Sequence, residues 1–230
     1  MFEHLDNKIE FPELKAKNIN GKRFYEHLET NKSYPSITTV LSIRDKKGLH
    51  EWRKKVGEEV ANYIARTSAN RGTAVHNMVE DYLNNVSKET LDEKHKKNLL
   101  AWSMFNEFKP VLNNINNIHV QEAQMFSEKY TVAGRVDCIG EYEGKLSVID
   151  FKTSTSEKKE EWISNYFIQG AAYAEMYEEQ TGTPIDQVVI LVVTSDGTTQ
   201  VFKKDKKEYL PQLKEAVENF YKHIENETNS

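Results

Sequence analysis

The sequence predicts an α/β (α+β) chain in which a mixed β-sheet core is flanked by helices, with a helical part ahead of it. Three observations carry this. Ala133 to Tyr142 and Lys145 to Lys152 are rich in Val, Ile, Leu, Phe and Tyr, and Glu143-Gly144 between them reads as a tight hairpin turn. Val188 to Thr194 is a continuous apolar run, as expected of a strand covered on both faces. Around these strands, segments such as the one holding Val75, Val79, Tyr82 and Leu83 place apolar residues at helical spacing. At 230 residues the chain is long enough to bury a sizeable core in one domain. That domain divides into an N-terminal arm (1–33), a helical part (34–113), a sheet core (114–204) and a C-terminal helix (205–230).

In chain order, Met1 to Asn31 is mixed and turn-rich, with a small hairpin expected through Asn20-Gly21. Ser36 to Leu41 suits a short helix capped by Ser36 or Thr38. Lys47 to Arg66 reads as one helix with Leu49, Trp52, Val56, Val60 and Ile64 along one side, and a second helix is expected from about Gly72 to Asn85. Ser87 to Leu112 carries Leu91, Leu99, Trp102, Phe105, Phe108 and Leu112 at mostly helical spacing, and Asn113 to Asn117 reads as a polar loop. Strands follow at about 118–127, 131–142 and 145–152, then a helix near 159–180 and the Val188 strand. A turn at Asp196-Gly197 leads to a last short strand, and an amphipathic helix from Lys206 to Glu225 closes the chain. No internal repeat or low-complexity segment is present.

The hairpin concentrates the chemistry. Closing it with Tyr142 against Lys145 puts Asp137 opposite Asp150, while Asp150 and Lys152, two residues apart, share a face. Two carboxylates this close repel unless a cation lies between them. A hard site of oxygen ligands suits Mg2+ or Mn2+, and with Lys152 alongside it suits hydrolysis of a phosphodiester. For Asp-x-Lys alone, a solvated ion pair on an exposed hairpin face is the commoner reading.

Other residues extend the set. His76 lies in Arg71-Gly72-Thr73-Ala74-Val75-His76, which opens a helix; Glu122 lies in the strand before the hairpin; Gln169-Gly170-Ala171-Ala172-Tyr173 lies on the helix after it. Taken singly, His76 suits a structural histidine with Glu80 one turn away, Glu122 an outward charge, and Tyr173 a packing residue. Taken in order with Gly134-Arg135-Val136-Asp137 and Asp150-Phe151-Lys152, the set resembles the RecB-type branch of the PD-(D/E)XK nuclease superfamily. Tyr34 to Val40 and Trp52 to Asn62 extend the likeness to the mitochondrial genome maintenance exonucleases and their bacteriophage relatives, over roughly Tyr34 to Tyr177.

The resemblance implies a restriction-endonuclease-like fold, with Asp137 and Asp150 as metal-binding acids and the carbonyl of Phe151 as a backbone ligand. It further implies Lys152 as the catalytic lysine and His76 as a helix histidine at or beside the metal. Glu122 matches an outer ligand or water-positioning acid, and Gln169 and Tyr173 match residues that frame the lysine and touch nucleic acid. Arg135 stands where many relatives carry Thr or another small residue, and the initial Pro-Asp of the motif's name is not literally present. Many RecB-type relatives carry four cysteines for an iron–sulfur cluster; Cys138 is the single cysteine here, so no cluster is expected.

A formal net charge of -5 excludes a protein that coats DNA through an overall basic surface, so any nucleic-acid groove must be local. Lys46, Lys47, Arg53, Lys54, Lys55, Arg66 and Arg71 concentrate positive charge around the first helices. Arg53, Arg71 and Arg135 are the arginines expected to contact nucleic acid, while Trp52, Trp162, Tyr166 and Phe167 suit either base stacking or the core. No apolar run approaches the roughly 20 residues of a membrane span, and no signal or transit peptide is seen. A cytoplasmic location, bacterial or in a phage-infected cell, is expected. The expected activity is a Mg2+- or Mn2+-dependent exodeoxyribonuclease acting on ends of single-stranded DNA. A non-catalytic DNA-end-binding module and a structure-selective endonuclease are the alternatives, and no protein partner is indicated.

Overall fold

The chain alternates a small sheet, a run of helices and a larger sheet, and the larger sheet organises the rest. The computed structural model describes residues 1–5, 9–44 and 46–228; the side chains of Lys46, Lys47 and Thr228 lie outside that description, and with them the expected basic contribution of Lys46 and Lys47. Strands β1 (Leu14–Ile19), β2 (Lys22–His27) and β3 (Ser33–Pro35) form an antiparallel sheet in that order. The β1–β2 turn falls on Asn20-Gly21, both with positive φ, as the right-handed strand twist favours. β3 is one strand more than the sequence suggested. It packs Tyr34 with Leu14, Tyr25 and Ala133 and so seats the arm on the larger sheet.

Helix α1 (Ile37–Ser42) is capped by Ser36, whose hydroxyl accepts from the Thr39 amide. α2 (Lys46–Val56) and α3 (Glu58–Leu83) follow where a single helix was expected. The break is Gly57, at φ 88°, a conformation that stops a right-handed helix and costs glycine little. Once the chain turns there, Leu49 and Val60 no longer share a face, and Leu49, Val60 and Ile64 are exposed while Ala61 is buried. α3 then runs unbroken through Arg71-Gly72, so no helix starts at Gly72. One internal glycine costs only about 1 kcal/mol, which the long helix on either side absorbs. Ser87 caps α4 (Lys88–His95), and Asn98 caps α5 (Leu99–Leu112). Leu99, expected on the apolar stripe, is exposed at the start of α5.

The five-stranded sheet runs β4 (Ile115–Ser127), β5 (Val132–Tyr142), β6 (Lys145–Ser154), β7 (Gln187–Thr194) and β8 (Thr199–Asp205). All neighbours are antiparallel except β6 and β7, which helix α6 (Ser164–Thr181) links as a crossover. β4 begins at Ile115, inside the stretch read as a loop, because Ile115 is buried and pairs with Tyr142. The register then shifts between Asn116 and Val120, a bulge that the asparagine-rich sequence tolerates. The first residues close this edge, the Leu5 amide donating to the Ile118 carbonyl and the Ile118 amide to that of Glu3.

β7 is buried on both faces, as its apolar run required. Val189, Leu191 and Val193 pack with the buried faces of α3 and α5, while Val188, Ile190 and Val192 pack with Phe167 of α6. The C-terminal helix α7 (Leu210–Thr228) covers the α6 side through Leu213, Val217 and Phe220. Among the described residues, no helix is long and apolar enough to cross a membrane.

The contact between α6 and β7 leaves no room at Gly170, where an added Cβ would stand 2.2 Å from Val188 Cγ1. Gly170→Ala is expected to destabilise the fold by about 1–3 kcal/mol through overpacking. A lower urea midpoint at unchanged denaturant slope would report it, and an unchanged midpoint would show that α6 does not sit this tightly on β7.

Candidate active site

The site forms where one strand leaves its neighbour. Glu143 and Gly144 take the positive φ values of a tight turn, Tyr142 pairs with Lys145, and the β5–β6 ladder runs back to Cys138 opposite Ile149. The next positions are Asp137 and Asp150, as the hairpin register required. They do not continue the ladder. The Asp137 carboxylate accepts the Phe151 amide at 2.9 Å, while β6 pairs onward with β7 through Asp150, Phe151 and Lys152. A side chain thus replaces the missing backbone partner at the point where the strands part.

Asp150 lies on the α6 side and is fully buried. Its Oδ2 stands 2.5 Å from Lys152 Nζ, and its Oδ1 accepts from Gln169 Nε2 at 3.3 Å. The same Gln169 amide reaches the Tyr173 hydroxyl at 3.2 Å. Burial pushes the Asp150 carboxyl up to about 6 against the pull of Lys152, and the Asp137 charge adds to the rise. Burial also opposes the charge of Lys152, but Asp150 and Asp137 outweigh it and hold the ammonium above its usual range. Lys152 Nζ also lies 5.2 Å from the centre of the Tyr166 ring.

α3 brings His76 to the other side of Asp137, with Nδ1 3.6 Å from Asp137 Oδ1. Its ring meets that of Phe151 edge-on, and Phe151 in turn packs edge-on against Phe108, which fixes the backbone between the two acids. Glu122 completes the group from β4. Its φ of 51° is rare for a non-glycine residue in a strand, a strain of about 1–3 kcal/mol of the kind that clusters at functional sites. Burial and the neighbouring Asp137 push the Glu122 carboxyl up, and Arg135 opposes them.

One ligand atom from each of His76, Glu122 and Asp137 falls within 4.8 Å of the others. Imidazole nitrogen with two carboxylate oxygens is a donor set for a divalent cation, and such an ion would offset both the burial of the Glu122 charge and its repulsion by Asp137. The residues present therefore fit a divalent metal. They face a cleft of about 320 Å³ lined also by Gly72, Thr73, Asn77, Glu80 and Arg135.

The grouping differs from the expected one in several respects. Glu122, read as an outer acid, stands in the cluster with His76 and Asp137, whereas Asp150 is drawn towards Lys152 and Gln169. Phe151 contributes its amide, to Asp137. Tyr173 is buried and packs on Gly134, where an added Cβ would stand 2.7 Å from its ring, with its hydroxyl turned to Gln169. Gln169 likewise spends its amide on Asp150. Arg53 is committed to Glu58 and Asn62 across the α2–α3 break. Arg71 is half-buried on α3, its Nε without a hydrogen-bond partner and outside the lining of the cleft. Of the stacking candidates Phe167 belongs to the core and Trp162 is exposed. Glu80 and Asn77 were missed as cleft residues, although Glu80 follows His76 by one helical turn, a spacing that already places it on the same wall.

A mixed sheet that parts between two acids, with a lysine on the departing strand and a histidine supplied by a helix, defines the class of metal-dependent nucleases. The comparisons agree, for the model of the PD-(D/E)XK nuclease superfamily matches residues 100–230, and the chain belongs to that superfamily. The human mitochondrial genome maintenance exonuclease 1 is 28% identical over 177 residues, which cover 71% of this chain and 50% of that protein. The mouse protein of the same name is 27% identical over 180 residues, covering 72% and 51%. The chain thus spans about half the length of these curated relatives. A crystal structure of an exonuclease candidate from Eubacterium rectale superposes with a TM-score of 0.48 at 14% identity, over 67% of this chain and 66% of the other.

Two outcomes follow from the electrostatics. A cation that binds only the folded chain at about 100 times its Kd stabilises it by about 2.7 kcal/mol. Saturating Mn2+ is therefore expected to raise Tm by several degrees in wild type and by far less in Glu122→Gln or Asp137→Asn. Equal shifts in all three would remove these acids from the metal site. Asp150 binds a proton more tightly folded than unfolded, so its contribution to stability is complete below the ordinary aspartate value of 3.8 and is lost as pH rises through about 6. In chelator, the urea midpoint of wild type relative to Asp150→Asn is expected to fall between pH 4 and pH 7. A constant difference would contradict the burial of this charge.

Proposed function

We propose that this chain is a Mg2+- or Mn2+-dependent exodeoxyribonuclease that hydrolyses phosphodiester bonds from ends of single-stranded DNA, in replication, recombination or repair. The observation that carries the reading is the juxtaposition of the His76, Glu122 and Asp137 donors with the Asp150–Lys152 pair across the opening between β5 and β6. A bound divalent ion supplies a Lewis acid for the scissile phosphate and lowers the pKa of an attacking water. Lys152, held by Asp150, orients that water or a phosphate oxygen through its ammonium hydrogens. Gln169 fixes Asp150, and Tyr173 supports Gln169 from below. His76 and Asp137 set the position of the reacting phosphate relative to β6. The names of the curated relatives support an exonuclease over an endonuclease, and the preference for single strands follows from the resemblance read in the sequence.

Matched linear and circular single-stranded DNA, each with Mg2+, Mn2+ or chelator, test the proposal. Wild type is expected to degrade the linear substrate alone and only with metal, and Lys152→Ala to lose about 10²-fold or more of that rate. Cleavage of the circle would make it an endonuclease. Binding without cleavage of either substrate would make it an end-binding module.

A further inference from the structure

Arg135 stands at the mouth of the cleft beside a metal-cluster donor. Arg135 lies on β5 opposite Gln124, two residues before Asp137, and its Nε stands 2.8 Å from Glu122 Oε2. The lining of the cleft is otherwise acidic or neutral apart from His76: Glu80, Glu122 and Asp137 are its carboxylates and Arg135 its one arginine. Arg135 therefore offsets part of the negative charge that gathers there before any cation binds.

The ion pair is not built like the structural ones. Lys206 bridges Glu175 and Glu178 and its side chain is 5% exposed, the geometry of a lock. The Arg135 side chain is 59% exposed, at the mouth of the cleft, and its partner Glu122 is one of the three donors of the metal cluster. Glu122 cannot serve a guanidinium and a divalent cation equally. Once its carboxylate turns to the metal it is a poorer partner for Arg135, and the two positive charges repel. A guanidinium fork fits a phosphate as well as a carboxylate, and a substrate phosphate must approach the same cleft.

We propose that Arg135 exchanges partners during substrate binding, releasing Glu122 to the metal site and turning to a non-scissile phosphate oxygen of the DNA strand. Resting on the metal-site reading above, this makes Arg135 an anchoring residue that competes with the metal for Glu122 when DNA is absent and favours its binding when DNA is present. Linkage then makes metal and DNA bind cooperatively, each tightening the other.

The test uses the whole chain and Mn2+ as the probe, with calorimetric titration in the absence of DNA and steady-state kinetics on linear single-stranded DNA at saturating Mn2+. Arg135→Gln is expected to bind Mn2+ about 5-fold or more tightly than wild type, because the competitor is gone. The same variant should raise KM for DNA by about 10-fold, a larger change than in kcat. Arg135→Lys, which keeps the charge without the fork, is expected to return Mn2+ affinity towards wild type while restoring KM only in part. If Arg135→Gln weakens Mn2+ binding, or leaves both Mn2+ affinity and KM unchanged, Arg135 merely braces Glu122 and the exchange is wrong. Failure of wild type to bind Mn2+ more tightly than Glu122→Gln would instead overturn the metal site on which the inference rests.

Discussion

The acceptance of the Phe151 amide by the Asp137 carboxylate is the contact on which the rest of the site depends. A strand that parts from one of its two neighbours leaves a backbone amide without a partner, and an unpaired buried amide costs about 1–3 kcal/mol. Asp137 removes that cost and in doing so ties the acid to the fork between β5 and β6. The fork faces Asp137 towards α3 and His76, and Asp150 towards α6 and Gln169.

Charge is arranged around this fork in two ways. On the α6 side the opposing charge is internal, since Asp150 is buried against Lys152 and Gln169. On the α3 side Glu122 and Asp137 face a cleft in which, among the described residues, His76 and Arg135 are the groups placed to offset them. A chain with net negative charge thus sets Asp150 against an internal ammonium and leaves Glu122 and Asp137 grouped as donors for a cation. The strained backbone of Glu122 belongs to the second group, where a carboxylate must project inward from a strand that would otherwise turn it elsewhere.

The hairpin was legible because its register is set locally: Glu143-Gly144 fixes the turn, and a period of two does the rest as far as Cys138 and Ile149. What lay beyond was set by tertiary contacts that no local spacing encodes. The stripe from Leu49 to Ile64 looked continuous, but Gly57 turns the chain and leaves most of it in solvent. Tyr173 was readable as a neighbour of Gln169 on one helical face, yet its burial depends on the absence of a side chain at Gly134, on a different strand. Arg53 carried the right charge for DNA, but its nearest acid, Glu58, lies just across a break that the helical period did not reveal. Glu122 passed for an outer acid because only its unusual φ brings it alongside His76 and Asp137.

Helix α6 has two employments. Through Gly170 it rests on Val188 of β7, and through Gln169, the preceding residue, it holds Asp150; its far end is pinned by Lys206 to Glu175 and Glu178. Core packing and acid placement are therefore read from adjacent positions on one rigid rod. A rod of this kind advances about 1.5 Å per residue, so a slip of a single step carries the Gln169 amide beyond hydrogen-bond reach. Loosening of the buried Lys206 lock at the far end of α6 would therefore be transmitted to the placement of Gln169 beside Asp150.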